Sequence, residues 1–349
     1  MQRTFFLGGA SPLGFTTSFW EEHRDCYGYY LKGGPGTGKS TLMKKIAAAF
    51  SDENLSWWHC ASDPHSLDAV VLVDRRIFIA DATAPHEAGT PLPCVTGETV
   101  DLAAGLTPAP LRENRGEILR LWQENQAAHR QARKGLAGIA EMEAIIADAG
   151  TQALRPEKLR AYAERLGKRL IPKTAGRKGT VLFRQSAALT PAGEIRYLPE
   201  TFDLILIHDP LRIAGAMLLK TISEYAAGAG ADCEITQALT RPGMPPVMLI
   251  LPGQRLILAA VTEPGRNGLP EPVSVIRMQR FYDPADLRKH RALVRFSSKT
   301  AAMTKQKVIA LLADALQIHD ELESYYIRAL NPAFLDQKTA ALIADIRSR

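Results

Sequence analysis

"YGYYLKGGPGTGKSTLMK" (residues 27–44) runs from aromatic residues through a cluster of glycines into a helical pattern. Tyr27–Lys32 has the apolar, aromatic character of a short buried strand. Gly33–Ser40, "GGPGTGKS", matches G-x-x-x-x-G-K-[ST], and Leu42, Met43, Ile46 and Phe50 then recur at helical spacing. Strand, glycine turn and helix in that order let the backbone N–H groups of residues 34–41 converge on one point. That point lies at the positive end of a helix, which suits a phosphate group. Gly33, Gly34, Pro35, Gly36, Thr37 and Gly38 are therefore read as a phosphate cradle. Lys39 is expected to neutralise the outer phosphates, Ser40 to ligate Mg2+, and Thr41 to make a further phosphate contact.

A loop of this type needs a carboxylate on a buried strand to help hold the metal. "RRIFIADATAPH" (residues 75–86) supplies one, because Ile77–Ala80 is an apolar run and Asp81 ends it. The competing reading of Asp81 is a plain strand cap. Ala82 follows it, so the Asp-Glu pair of AAA-type motor ATPases is missing although "GPGTGKST" looks AAA-like. The carboxylate that activates water must then come from elsewhere, or turnover is slow. "LSWWHC" (residues 55–60) reads as the second strand, and the loop leaving it lies at the ligand edge of an open α/β sheet. Asp63 and Asp68 are thus candidates for a general base or water-orienting group. An Asx turn before Pro64 accounts for Asp63 equally well, and His59 and His86 read as structural histidines.

The 349 residues suffice for two domains, and 46% hydrophobic with 23% charged content is that of a globular protein. Cys26, Cys60, Cys94 and Cys233 form no C-x-x-C pair, which argues against structural zinc or a disulfide scaffold and for a reducing cytoplasm. The N-terminal apolar run is too short for a signal peptide. "PVMLILPGQRLILAAV" is broken by Pro252, Gly253 and Arg255, so it reads as two buried strands and a turn, and no membrane span is expected. The net charge is +6, much of it between Arg155 and Lys178. Without a pattern of interleaved aromatics, that run reads as a solvated helix face and linker rather than a nucleic-acid surface.

The chain also matches itself. Pro12 and Gly14 recur as Pro191 and Gly193; Leu42, Lys44 and Ile46 recur as Leu218, Lys220 and Ile222. Ala80, Thr83 and Pro85 recur as Ala259, Thr262 and Pro264, and "ALRPEKL" (153–159) recurs as "ALNPAFL" (329–335). Four matches in one order at a nearly constant offset indicate a tandem duplication. The second copy sets "DPLRIAGA" (209–216) over the phosphate loop. Lys39 becomes Gly215, Ser40 becomes Ala216, Gly33 becomes Asp209 and Asp81 becomes Ala260, so this copy is expected to bind no Mg-nucleotide. Each copy continues into helical patterns that read as a hairpin of two long arms and one shorter helix, with Pro156 and Asn331-Pro332 at helix starts. The expected fold is α/β: tandem P-loop NTPase-like units of three α/β/α layers, each followed by a helical hairpin, the second degenerate. Residues 1–172 form the first unit, with its hairpin at about 110–172. Residues 173–349 form the second, with its hairpin at about 300–349.

The order "KGGPGTGKST", "HCASDPHSLD", "ADATAPH" and, late in the chain, "HDELESYYI" resembles a bacterial family of tandem P-loop proteins described only as ATPases or nucleotide-binding proteins. The resemblance covers most of the chain. It implies a P-loop NTPase fold in both halves and ATP with Mg2+ as the ligand, while a protein partner or small-molecule acceptor stays open. This sequence departs from the family at the second P-loop and at Ala82, where the family more often has glycine. The expected function is Mg-dependent ATP hydrolysis in the first half, with the second half as scaffold or regulator. In that reading Arg212 or Arg241 could serve as an arginine finger. The alternative is a small-molecule or nucleotide kinase with Asp63 as the base that accepts the proton of an acceptor hydroxyl.

Overall fold

The computed structural model describes residues 3–173, 176–238, 240, 246–263 and 269–349; Arg241 and Pro264 lie outside the described residues. The chain forms two compact units. Unit 1 comprises Met1–Ala132, Ala188–Gly193 and Ile309–Arg349; unit 2 comprises Arg133–Ala187 and Glu194–Val308. The units therefore do not follow a division at residue 172, because each takes helical residues from the far end of the other sequence half.

The first sheet is built from β1 (Arg3–Phe6), β4 (Tyr27–Lys32), β5 (Leu55–His59), β6 (Leu67–Leu72), β7 (Ile77–Asp81) and β8 (Gly97–Asp101). Between them come the hairpin β2 (Gly9–Ser11) and β3 (Gly14–Thr16), α1 (Phe19–Glu22) and α2 (Lys39–Ala49). Then follow α3 (Pro108–Glu113), α4 (Arg115–Ala153) and α5 (Pro156–Leu170). The second sheet uses β9 (Val181–Phe183), β12 (Asp203–His208), β13 (Cys233–Thr236), β14 (Met248–Leu251), β15 (Leu256–Val261) and β16 (Ser274–Arg277). β10 (Ala187–Thr190) and β11 (Gly193–Arg196) pair as a separate two-stranded hairpin, and α6 (Ile213–Gly228) follows β12. α7 (Pro284–Ala329) and α8 (Pro332–Ser348) come last.

Both sheets have six strands, in the orders β1-β5-β6-β7-β4-β8 and β9-β13-β14-β15-β12-β16. In the first, β6 is antiparallel to β5 and β7 while the recorded β1–β5, β4–β7 and β4–β8 pairs are parallel. In the second, β14 is antiparallel to β13 and β15 and the rest is parallel. Element for element, the two sheets have the same order and the same directions. The hairpin turns match in detail: the Ser11 hydroxyl donates to Gly14 O at 2.9 Å, and the Thr190 hydroxyl donates to Gly193 O at 2.8 Å. Gly14 and Gly193 both hold left-handed φ values, 112° and 106°, where a side chain would be strained.

The strands alternate between two buried faces, as a period of two requires. Ile77 and Ile79 of β7 join a core with Leu42, Met43 and Ile46 of α2 and Leu335 and Leu342 of α8. Phe78 and Ala80 point the other way, into Phe5, Phe19 and Trp58. In unit 2, Ile205 and Ile207 pack with Leu159 and Leu166 of α5 and Leu218 and Ile222 of α6. Leu204 and Leu206 pack instead with Phe202, Met248 and Leu269. The expected three α/β/α layers are corrected: among the described residues, long helices pack on one face of each sheet. On the other face, Phe15 of the hairpin and Phe19 and Trp20 of α1 supply volume in unit 1, and Leu198, Phe202 and Leu269 do so in unit 2. The expected pair of long arms is likewise one continuous helix in each case, of 39 residues in α4 and 46 in α7. No proline or glycine pair interrupts either, so nothing in their sequence forces a bend. α5 and α8 start at Pro156 and Pro332, with the Asn331 side chain accepting from Ala333 N–H. No helix among the described residues is long and apolar enough to cross a membrane.

Candidate functional site

The glycine-rich loop joins β4 to α2 in unit 1. Gly36 and Gly38 take φ values of 67° and 80°, so the loop depends on residues without a Cβ at these two positions. Thr37 is buried, and its hydroxyl donates to Gly34 O at 2.9 Å. The Thr83 hydroxyl, from the segment after β7, donates to Gly33 O at 2.9 Å. The Lys39 ammonium donates to Gly33 O and Gly34 O at 2.8 and 2.7 Å and lies 3.6 Å from Asp81 Oδ2. Ser40 Oγ accepts the Leu67 N–H at 3.0 Å. Thr41 is exposed in the first turn of α2.

Asp81 is the last residue of β7, which pairs directly with β4, and its register partner is Leu31. Its Oδ1 accepts the Thr83 N–H at 2.8 Å, so the strand-cap role and an outward Oδ2 coexist in one carboxylate. Asp68 on β6 and His86 beyond β7 bring ligand atoms within 4.8 Å of one another and of Asp81. Asp68 and His86 are 6% and 8% exposed. Burial, helped by the Asp81 charge, pushes the Asp68 carboxyl up to about 6, against the pull of His86 and Lys39. Asp63 sits elsewhere: its carboxylate accepts from His65 N–H and the Ser66 hydroxyl, closing the Asx turn of its own loop. Of the two aspartates, only Asp68 stands beside Asp81. His59 contacts Pro64 O through Nδ1 at 2.8 Å and is structural, and burial lowers its pKa.

The end of α7 and the start of α8 complete the site within unit 1. Glu323 Oε1 accepts the Gly36 N–H at 3.0 Å and lies 3.3 Å from His319 Nε2. A Cβ on Gly36 would meet Glu323 O at 2.7 Å, and one on Gly38 would meet Leu335 Cδ2 at 2.6 Å. His319 and Glu323 belong to "HDELESYYI". The family resemblance that includes this stretch was the available signal, but no local pattern ties it to a loop some 290 residues earlier.

The matching loop of unit 2 is closed from within. Asp209 is 1% exposed and its carboxylate accepts the Gly215 N–H at 2.7 Å, the Leu211 N–H at 3.2 Å and the Tyr282 hydroxyl at 2.8 Å. α6 begins at Ile213, five residues before buried Leu218, whereas α2 begins at Lys39, three before buried Leu42. The extra helical residues take up the turn that forms the wide loop in unit 1. Arg212 caps α6 at φ 66° and pairs with Glu143 at 3.2 Å, so its guanidinium is already engaged inside unit 2.

No protein-family model, no curated protein and no solved structure matches this chain.

Proposed function

We propose that the chain is a P-loop ATPase of the tandem family its motifs resemble, binding one Mg-ATP in unit 1 and none in unit 2. The observation that carries this reading is the meeting of three features at one sheet edge. These are the Gly33–Gly38 turn at the N-terminus of α2, the Lys39 ammonium inside that turn, and Asp81 at 3.6 Å from it. The turn offers backbone N–H donors to phosphate oxygens, and Lys39 exchanges its two carbonyl partners for phosphate. Mg2+ fits the residues present: Ser40 and Asp81 are oxygen donors of the kind that ion takes, and Asp81 Oδ2 has no hydrogen bond among the described residues other than its approach to Lys39. When bound, Mg2+ supplies charge that offsets the phosphate oxygens. Asp209 gives unit 2 an internal anion where a phosphate would need to enter, which supports its role as scaffold or regulator.

The kinase alternative depends on Asp63 as base, and the engagement of that carboxylate with His65 and Ser66 favours hydrolysis over it. Titration calorimetry with Mg-ATP tests the reading. One molecule per chain, lost in Lys39→Ala, is expected; two equivalent molecules, or unchanged affinity in Lys39→Ala, overturns it.

A further inference from the structure

Asp68, Asp81 and His86 form the cluster of metal-type ligands found among the described residues. They differ from an ordinary Mg2+ set by a nitrogen donor. The His86 ring is fixed by an edge-on contact with Phe15 at 4.4 Å. Its Nδ1 has no hydrogen-bond partner, and its Nε2 stops 3.5 Å from Asp68 Oδ2. At 3.5 Å the Nε2 contact is longer than a normal hydrogen bond, so neither ring nitrogen is held by one. Charge points the same way. Two carboxylates stand together, both largely shielded from water, and the one ammonium beside them is that of Lys39, 3.6 Å from Asp81. Carboxylate charge in excess of that ammonium calls for a further cation.

We propose that Asp68, Asp81 and His86 bind a divalent first-row transition-metal ion in the absence of nucleotide. Two carboxylates and one imidazole suit Mn2+, Fe2+ or Zn2+ better than Mg2+ or Ca2+, which prefer all-oxygen sets. Ligands about 2.1 Å from an ion lie roughly 3 to 3.5 Å apart; the ligand atoms now lie within 4.8 Å of one another, with Asp68 and His86 already at 3.5 Å. Three protein donors leave positions open toward Lys39 and the glycine loop. The site shares Asp81 with the proposed Mg-ATP site but does not depend on nucleotide, so its test omits nucleotide.

The full chain, stripped with EDTA and exchanged into metal-free buffer, is titrated with Mn2+ alone, free Mn2+ being read by electron paramagnetic resonance. One Mn2+ per chain is expected, weakened about tenfold or more in Asp68→Asn and in His86→Ala and retained in Lys39→Ala. His86→Gln replaces His86→Ala if circular dichroism shows that variant unfolded. Unchanged Mn2+ affinity in the Asp68 and His86 variants, displacement by equimolar Mg2+, or binding that requires added ATP overturns the proposal. Mn2+ bound by a chain that takes up no ATP would remove the nucleotide reading and leave the metal site standing.

Discussion

The Gly36 N–H donates to Glu323 Oε1 at 3.0 Å, so a carboxylate from α7 occupies one of the donors that the glycine loop offers to anions. In the proposed reading, a nucleotide takes that donor from Glu323. Removing the side chain should therefore favour binding. A hydrogen bond to a charged group contributes about 1.5 to 3 kcal/mol, and Glu323→Ala should tighten Mg-ATP by roughly tenfold or more in calorimetry. Equal or weaker affinity in the variant would mean that Glu323 helps the ligand instead of competing with it.

The same contact sets a pH dependence. The His319 partner, with the Gly36 N–H and Lys39, holds the Glu323 carboxyl below its ordinary value of 4.5. A depressed folded-state pKa contributes stability that is complete above the unfolded value and is lost as pH falls through the folded one. Urea unfolding of wild type and Glu323→Gln should thus differ at about pH 5, where the carboxylate is charged. The gap should close below about 4.5. A gap that widens as the pH falls from about 5 to about 4 contradicts this assignment.

How much of this could be read beforehand depends on whether the signal was local. Gly33–Ser40 and Asp81 were legible because turn, helix start and strand end are written in adjacent residues. The β14–β15 pair was legible because Pro252 and Gly253 break one apolar run. The reversed direction of β6 was not, since Leu67–Leu72 buries all its residues and an apolar run carries no direction. Asp68 and Asp63 looked alike in sequence; only the antiparallel return of β6 sets Asp68 beside Asp81 and leaves Asp63 in its turn. Glu323 matters through Gly36, a partner distant in sequence that periodicity cannot register, and His86, close to Asp81 in sequence, gains its place only once β6 brings in Asp68.

Asp209 gives a stability prediction in unit 2. Its carboxylate accepts the Gly215 and Leu211 N–H groups and the Tyr282 hydroxyl, all in the core. Asp209→Ala leaves those donors buried without partners, at about 1 to 3 kcal/mol for each group left unsatisfied. Relaxation lets some of them find water, so a net loss of about 2 to 4 kcal/mol in chemical denaturation is expected. Tyr282→Phe removes one bond and should cost about 1 kcal/mol. A loss from Asp209→Ala no larger than that from Tyr282→Phe would show that the carboxylate does not organise the loop.

Two glycines should answer opposite ways to the same substitution. Gly38 holds φ at 80°, and a Cβ there would lie 2.6 Å from Leu335 Cδ2. Gly38→Ala therefore meets backbone strain of about 1 to 2 kcal/mol and must also displace the Leu335 methyl packed against the loop. Lower thermal stability and loss of Mg-ATP binding are expected together. Gly138, exposed within α4, has a helical backbone and nothing within 4 Å of an added Cβ. There Ala restricts the unfolded chain without strain and should stabilise by about 0.5 to 1 kcal/mol. Thermal unfolding of the two variants side by side measures both; a stabilised Gly38→Ala chain that still binds nucleotide would refute the left-handed turn on which the cradle depends.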